Sequence, residues 1–357
     1  MQTLQILYET NHKNTLFLDR KLFIDAKKTI VHGPRKSGKT HLILDHLSHY
    51  EKEEYLYIDF SDARVEPLLV AEHLATFISK YPIKVLVIEH FDFSFTLPHV
   101  EEIIISTPFK TKTLEGFTSL HLFPLDFEEF IAFNKKHASI EHIFNLYATH
   151  GTFTHIIQNS DQNTHRLMQE MLHLILSDDI SFLIYKRFCE LQSAKVSLFQ
   201  IYTHLKSTTK LSKDKLYALT ASLVDQELLF FVEKYLSPNA SKKVYAIDFA
   251  FKNALSFKKD FPKRFENMVF LELLKRHRTI YYEEGIEFFI PEESLAVLCV
   301  GFATTEVIEK RLQKLLPTFW SLHVKRIEVV TLSSENALSI EGLSFSIHPF
   351  WEWALQL

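Results

Sequence analysis

Only two cysteines occur among the 357 residues, Cys189 and Cys299, and they lie far apart in the chain. That excludes a disulfide framework and any cysteine-based zinc spacing, and predicts inert core thiols in a reducing compartment. Glycine is almost as scarce, with seven residues, so two glycines at a meaningful spacing carry information. No apolar run approaches the ~18 residues that a membrane span needs, and the first residues lack the basic-then-apolar layout of a signal peptide. No membrane partner is therefore expected, and the expected location is cytoplasmic. Neither sign of charge dominates: a net charge of -4 gives no global pull toward nucleic acid, so any such binding must come from a local patch. The 19 histidines include no HExxH and no Cys/His pairing; His46 and His49 can share a helix face, where solvated or capping roles are expected.

What the chain does have is length for two or three domains and a composition, 46% hydrophobic and 24% charged, of a globular protein. Phenylalanine is over-used, at 32 residues, and reads as core filler.

The stretch Thr29-Ile30-Val31-His32-Gly33-Pro34-Arg35-Lys36-Ser37-Gly38-Lys39-Thr40 contains two of the scarce glycines in the pattern G-x-x-x-x-G-K-[ST]. Ile30 and Val31 read as the end of a buried strand, and Leu42, Ile43, Leu44 and Leu47 give the next segment a helical apolar face. Strand, glycine loop and helix in that order form a phosphate-binding loop. Gly33 and Gly38 allow the backbone to curl so that successive N–H groups, with the positive end of the helix, face an anion. Residues Gly33, Pro34, Arg35, Lys36, Ser37, Gly38, Lys39, Thr40 and His41 are the candidate nucleotide-binding set. Lys39 would reach the β- and γ-phosphates, and the Thr40 hydroxyl would ligate Mg²⁺.

Met1 to Asp25, with Leu7, Leu16, Leu18 and Leu22, reads as a short helix or strand packed ahead of this region. Further strands are predicted at 54–60, 83–89 and 102–107, with a helix over 67–79 between the first two. The run Ile83-Lys84-Val85-Leu86-Val87-Ile88-Glu89 is almost continuously apolar and ends in an acid. Such a run belongs in a parallel sheet buried on both faces, and an acid at its carboxyl end lies at the edge where ligands bind. Glu89 is the candidate magnesium acid, and Glu89 or Asp92 the candidate that activates water. His90 stands where a second acid normally follows.

The order of parts resembles the AAA-type ATPases of bacteria and archaea whose core is followed by a winged helix and a nuclease-like domain. The resemblance rests on the glycine loop, on Pro124-Leu125-Asp126-Phe127-Glu128-Glu129-Phe130, on the tyrosine-rich segment with Asp59 and Asp62, and on the junctions around Ile247-Asp248-Phe249 and Phe265–Leu273. It spans nearly the whole chain. It implies an α/β fold: a P-loop parallel sheet with a helical lid, then a winged helix and a small α/β restriction-endonuclease-like domain. The expected divisions are a core at 1–135, a lid at 136–180 with Gly151-Thr152-Phe153 as its glycine-containing turn, a winged helix at 181–255, and the nuclease-like domain at 256–357. Two departures stand out: the family's turn arginine is Phe117 here, and its Gly-Ser-Ser strand end is Ser106-Thr107-Pro108.

Lys195 to Lys243 reads as helix, turn, helix and β-wing, and holds eight lysines against four acids. Ser212 is an N-cap candidate, and Lys210, Lys213 and Lys215 open the second helix, where a winged helix would meet double-stranded DNA. The nuclease resemblance places its metal-binding Asp on Phe289, its Glu on Cys299 and its Lys on Gly301. Of the acids there, Glu266 and Glu287 remain. Phe, Cys and Gly cannot hold a hard cation, so that domain is expected to lack nuclease chemistry and to meet a protein partner. The cofactors implied are ATP and Mg²⁺. Three functions follow: an ATPase whose nucleotide state controls engagement of DNA or protein; a hydrolysis-deficient nucleotide switch; and, less favoured, a metal-dependent nuclease.

Overall fold

Four apolar runs, ending at His32, Asp59, Glu89 and Thr107, pair side by side because each is buried on both faces, and a largely exposed fifth strand, Thr118–His121, lies at the edge. The structure is a computed structural model that describes residues 1–10, 20–134, 138–159, 163–176, 178–277 and 279–356, apart from the Leu338 side chain. Leu16, Leu18 and the boundary expected at 135/136 lie outside the described residues. By its contacts the chain divides into two compact units, Met1–Pro124 with Asp225–Glu227, and Leu125–Val224 with Leu228–Leu357.

The N-terminal unit runs α1 (Gln2–Glu9), β1 (Lys28–His32), α2 (Lys39–Leu47), β2 (Tyr55–Asp59), α3 (Pro67–Ile78), β3 (Val85–Glu89), β4 (Glu102–Thr107) and β5 (Thr118–His121). The sheet order is β2-β3-β4-β1-β5 and every pairing is parallel. Inserting β4 between β1 and β3 separates the glycine-loop strand from the Glu89 strand. In register, Asp59 stands beside Glu89 and Glu89 beside Ser106, so their side chains meet at one carboxyl edge. One face of the sheet packs Ile30, Leu56, Ile58, Leu86 and Ile88 against Val70, Leu74 and Phe77 of α3 and Leu4 of α1. The other packs Val31, Val85 and Val87 against Leu42, Ile43 and Leu47 of α2. Burying a Leu or Ile fully contributes about 1.5–3 kcal/mol each, so these two layers fix the strand ends that carry the site.

Parallel strands require a crossover, usually a helix. Between β3 and β4 it is instead an irregular segment in which Phe91 stacks edge-on against Phe95 at 4.9 Å and lies 5.0 Å from Phe93. Phe91 is buried in the core beneath the sheet. This accounts for part of the phenylalanine excess as packing.

The C-terminal unit contains α4 (Phe127–Phe133), α5 (Ile140–His150), α6 (Thr154–Gln158), α7 (Thr164–Ile175), α8 (Asp179–Glu190), β6 (Lys195–Val196), α9 (Leu198–Lys206) and α10 (Lys213–Asp225, whose last residue belongs to the other unit). It continues with β7 (Leu229–Lys234), β8 (Lys242–Ala246), α11 (Phe251–Leu255), α12 (Phe261–Arg276), β9 (Tyr281–Glu283), β10 (Ile286–Ile290), β11 (Leu295–Cys299), α13 (Thr305–Ser321), β12 (Arg326–Thr331), β13 (Asn336–Ile340), β14 (Leu343–Pro349) and α14 (Phe350–Gln356). The hairpin expected around Ser237–Asn239 forms as β7 and β8, and Ser212 accepts the Lys215 N–H at 3.2 Å as expected of a cap. That hairpin also joins a larger structure: β7 pairs parallel with β9, giving one nine-stranded sheet in the order β13-β14-β12-β11-β10-β9-β7-β8-β6.

The helices α5, α6 and α7, expected as a lid, belong to this unit. The segment Pro124–Phe130 is a helix start: Asp126 and Glu129 form a reciprocal capping box at α4, and Phe127 and Phe130 pack edge-on against Tyr147 at 5.2 and 5.1 Å. Glu272 of α12 accepts the Phe127 N–H at 3.1 Å and the Tyr147 hydroxyl at 2.9 Å. No helix among the described residues is long and apolar enough to cross a membrane.

Candidate functional site

The loop after β1 curls as its glycines predict. Gly33 has φ 145° and Gly38 φ 103°, and Lys36 also lies at positive φ, 71°. A Cβ on Gly33 would run into the carbonyl of Leu122, so this position admits no side chain. Ser37 N–H donates to the Pro34 carbonyl at 3.2 Å, which closes the turn, and Leu42 N–H donates to Gly38 O at 3.0 Å, which starts α2.

Lys39 is buried, and its ammonium lies within the loop, donating to the Gly33 and Pro34 carbonyls at 2.7 and 2.9 Å. Burial pulls its pKa down to about 8, partly offset by Glu89. An ammonium whose hydrogen-bond partners among the described residues are two neutral carbonyls is well matched to an anion that would replace them. Thr40 donates its hydroxyl to Glu89 Oε2 at 2.8 Å, which bridges the first turn of α2 to the end of β3 across the intervening β4. Glu89 is almost wholly buried, and burial pushes its carboxyl up. Its Oε1, like the Ser37 Oγ, has no hydrogen-bond partner among the described residues. Arg35, Lys36 and His41 are exposed around the loop.

The structure adds two residues to this edge. Asp59, at the end of β2, takes a hydrogen bond from His90 Nδ1 at 2.8 Å and from the Ser61 N–H at 2.8 Å. Burial works against its charge, but the His90 and Ser61 bonds outweigh that and hold its carboxyl below the usual range. His90 has φ 56°, a left-handed backbone uncommon outside glycine, and its N–H donates to Ser106 O at 3.1 Å. One donor atom each from Asp59, Glu89 and His90 lie within 4.8 Å of one another. Asp92, by contrast, is exposed; its carboxylate accepts the Ser94 N–H at 3.0 Å and is not brought to Glu89. Arg20, which sequence reasoning passed over, donates to Ser37 O at 3.1 Å and to Phe123 O at 2.7 Å and so braces the loop from outside. Only its charge ahead of β1 marked it, and charge alone does not reveal a brace.

His46 departs from the solvated role expected of it. It pairs with Glu102 at 2.6 Å, and the Tyr50 hydroxyl reaches the same carboxylate at 2.7 Å. His32 is a core histidine held by Phe109 O at 3.1 Å and stacked on His121.

In the C-terminal unit, Phe289 is buried in an apolar core with Tyr235 edge-on at 4.9 Å, Glu287 is held by both Arg311 and the Cys299 N–H, and Glu266 is taken by Lys243 at 2.8 Å and the Tyr245 hydroxyl at 2.7 Å. The residues at Phe289, Cys299 and Gly301 supply no hard oxygen donor. Lys210, Lys213 and Lys215 are all exposed at and before the start of α10.

No protein-family model matches the chain. An uncharacterized protein of Methanocaldococcus jannaschii is 22% identical over an alignment of 393 residues that covers 93% of this chain and 89% of that protein. Among solved structures, the Walker-type ATPase of Pyrococcus abyssi aligns with a TM-score of 0.43 at 14% identity, covering 64% of this chain and 90% of that one. A signal-transduction ATPase with numerous domains and a tetratricopeptide repeat sensor, from Pyrococcus horikoshii, aligns with a TM-score of 0.28 at 13% identity, covering 84% of this chain and 49% of that one. None of these likenesses assigns a residue or an activity to this chain.

Proposed function

We propose that the N-terminal unit binds MgATP at Gly33–Thr40 and hydrolyses it, and that the nucleotide state governs engagement of DNA or a protein. The observation that carries this reading is the Thr40–Glu89 bond at 2.8 Å beside a curled loop that already encloses a lysine ammonium. Backbone N–H groups of the loop and the start of α2 would receive phosphate oxygens, and Lys39 would exchange its two carbonyl partners for them. The donor set suits a hard cation: a hydroxyl, a carboxylate, and an orphan carboxylate oxygen at Glu89 Oε1. Thr40 and Glu89 are the residues that would hold Mg²⁺, which when bound neutralises charge on the phosphates. Of the two acids expected to act on water, Glu89 lies beside the loop, and Asp92 does not.

Calorimetric titration with MgATP tests the reading. Lys39→Ala should abolish measurable binding, and affinity equal to that of the unmodified chain would refute it.

A second reading keeps the nucleotide but not the turnover. It is favoured by His90, held by Asp59, in the place of a second acid, and by Phe117, a half-buried ring packed on the core, in place of an arginine. Sustained absence of phosphate release, with and without double-stranded DNA, would select this switch. Engagement of DNA is proposed through Lys210, Lys213 and Lys215, whose exposure is what such contact needs.

A further inference from the structure

Strands β12 and β14 run side by side in the C-terminal unit, with Glu328 opposite Ser346 and Val330 opposite His348. One face of this pair is apolar: Ile327, Val329, Phe345 and Ile347 pack with Leu312, Leu316 and Phe319 of α13. Strand alternation sends Arg326, Glu328, Ser346 and His348 to the other face. There they line a cleft of about 430 Å³ together with Arg276, His277 and Trp353.

Most charges in the cleft satisfy one another. Glu293 pairs with His277 Nδ1 at 3.0 Å and with Arg326 at 3.1 Å, while Glu328 takes Arg326 at 3.0 Å and the Trp353 indole N–H at 2.7 Å. Two imidazole nitrogens are left over. His277 Nε2, on a side chain nine-tenths buried, and His348 Nδ1 are both buried without a hydrogen-bond partner among the described residues. Buried polar atoms in this state point to something that completes them.

His348 also faces two carboxylates. Donor atoms of Glu335, His348 and Glu352 lie within 4.8 Å of one another. Among the described residues no lysine or arginine pairs with Glu335 or Glu352. The three positions lie at or beside element ends: Glu335 directly precedes β13, His348 sits near the end of β14, and Glu352 is in the first turn of α14. The turn into β13 is fixed by Thr331, whose hydroxyl accepts the Ser334 N–H at 3.0 Å. Two carboxylates brought to a histidine without a countercharge would repel each other; a divalent cation removes that repulsion and makes the set neutral.

We propose that Glu335, His348 and Glu352 bind a divalent transition-metal ion at the edge of this cleft. One imidazole nitrogen with two carboxylates is a ligand set for Zn²⁺, and it disfavours Mg²⁺ and Ca²⁺, which prefer oxygen alone. Three protein ligands leave a coordination position for water or for an anionic ligand. This site is separate from Phe289, Cys299 and Gly301, where the nuclease resemblance looks for a metal, and it does not depend on nucleotide binding.

The test is titration of the dialysed full chain with Zn²⁺ against a chromophoric chelator, with Mg²⁺ as the comparison ion. One tight Zn²⁺ equivalent is expected. It should persist in Glu89→Gln, which alters the other His/carboxylate cluster, and weaken in both His348→Ala and Glu352→Gln. The loss should exceed the roughly 10–100-fold that removing an outer-shell partner costs. Absence of a tight equivalent, its survival in either variant, or its loss in Glu89→Gln would overturn the proposal. X-ray absorption on the zinc-loaded unmodified chain needs no variant to fold: a shell of one imidazole with oxygen donors is expected, and sulfur or several imidazoles would refute it.

Discussion

Glu89 and Glu287 each stand on a strand of an α/β sheet, and their surroundings differ in kind. Glu89 accepts the Thr40 hydroxyl at 2.8 Å and is met by the Tyr57 hydroxyl, both neutral, and its buried Oε1 has no hydrogen-bond partner among the described residues. Glu287 is consumed: Arg311 reaches its two oxygens at 2.7 and 2.8 Å, and the Cys299 N–H takes Oε2 at 3.0 Å. A carboxylate with spare acceptor capacity beside a hydroxyl can take a cation, whereas one already matched by a guanidinium has nothing left to offer. The comparison teaches that the presence of an acid at a family position is weak evidence, and that its partners decide whether it can bind.

The largest effect that could break this contrast is on turnover. Glu89→Gln should lower phosphate release by about a hundredfold or more while MgATP is still bound, as loss of an essential charged group in a preorganised site does; a rate within a few-fold of the original would place the chemistry elsewhere. Next comes stability of the C-terminal unit. Gly151 has φ 73° and ψ -154°, and a Cβ there would collide with both carboxylate oxygens of Asp248. Gly151→Ala should therefore cost about 3 kcal/mol in denaturant unfolding, from backbone strain and overlap together.

Asp248 sharpens the comparison from a third side, as a buried acid whose partners are structural. It accepts the Thr152 N–H and hydroxyl at 2.6 and 2.8 Å and the Ala250 N–H at 2.7 Å, yet burial raises its pKa from 3.8 to about 6. A raised folded pKa means the folded form holds its proton more tightly. The associated stability is present below the unfolded value and is lost as pH rises through about 6. Relative to Asp248→Asn, the unmodified chain should be more stable at about pH 4.5 than at about pH 7.5, by about 2 kcal/mol in denaturant unfolding.

Arg311→Met would leave Glu287 without its cation. With the guanidinium about a third exposed, the expected cost is about 1–3 kcal/mol, and no cleavage of plasmid DNA should appear, because Phe289, Cys299 and Gly301 still lack donors. The smallest effect is at Asp92. Exposed and engaged by Ser94, it should tolerate Asn with less than about a twofold change in phosphate release, in a steady-state assay.

Much of the N-terminal unit was legible because its signals are local. The strand ending at Val31–His32, the helix carrying Leu42, Ile43 and Leu47, and the buried run into Glu89 follow from apolar periodicity, and the loop follows from two glycines and a lysine at fixed spacing. The Pro124–Phe130 segment was legible as a resemblance, and the structure gives it a physical job, a capping box and two phenylalanines on Tyr147. The hairpin around Ser237–Asn239 was legible too, though not that β7 would join β9 in one sheet with the strands of the expected C-terminal domain. Such pairing depends on residues about fifty positions apart and leaves no local pattern. The partnership of Asp59 with His90 escaped for the same reason: it needs adjacent strand ends on β2 and β3, which only strand order supplies.

The sequence by itself determined the strands and helices around the glycine loop, where the backbone must curl, and that the loop carries Lys39 and Thr40, because these depend on residue type over a few neighbouring positions. Tertiary structure alone decided which acids are free to act. Glu89 keeps an oxygen with no hydrogen-bond partner among the described residues, Glu287 and Glu266 are already taken, and Glu335 and Glu352 converge on His348. Charge complementarity operates over a few ångströms in space, and the chain brings distant residues within that range only when its sheets close.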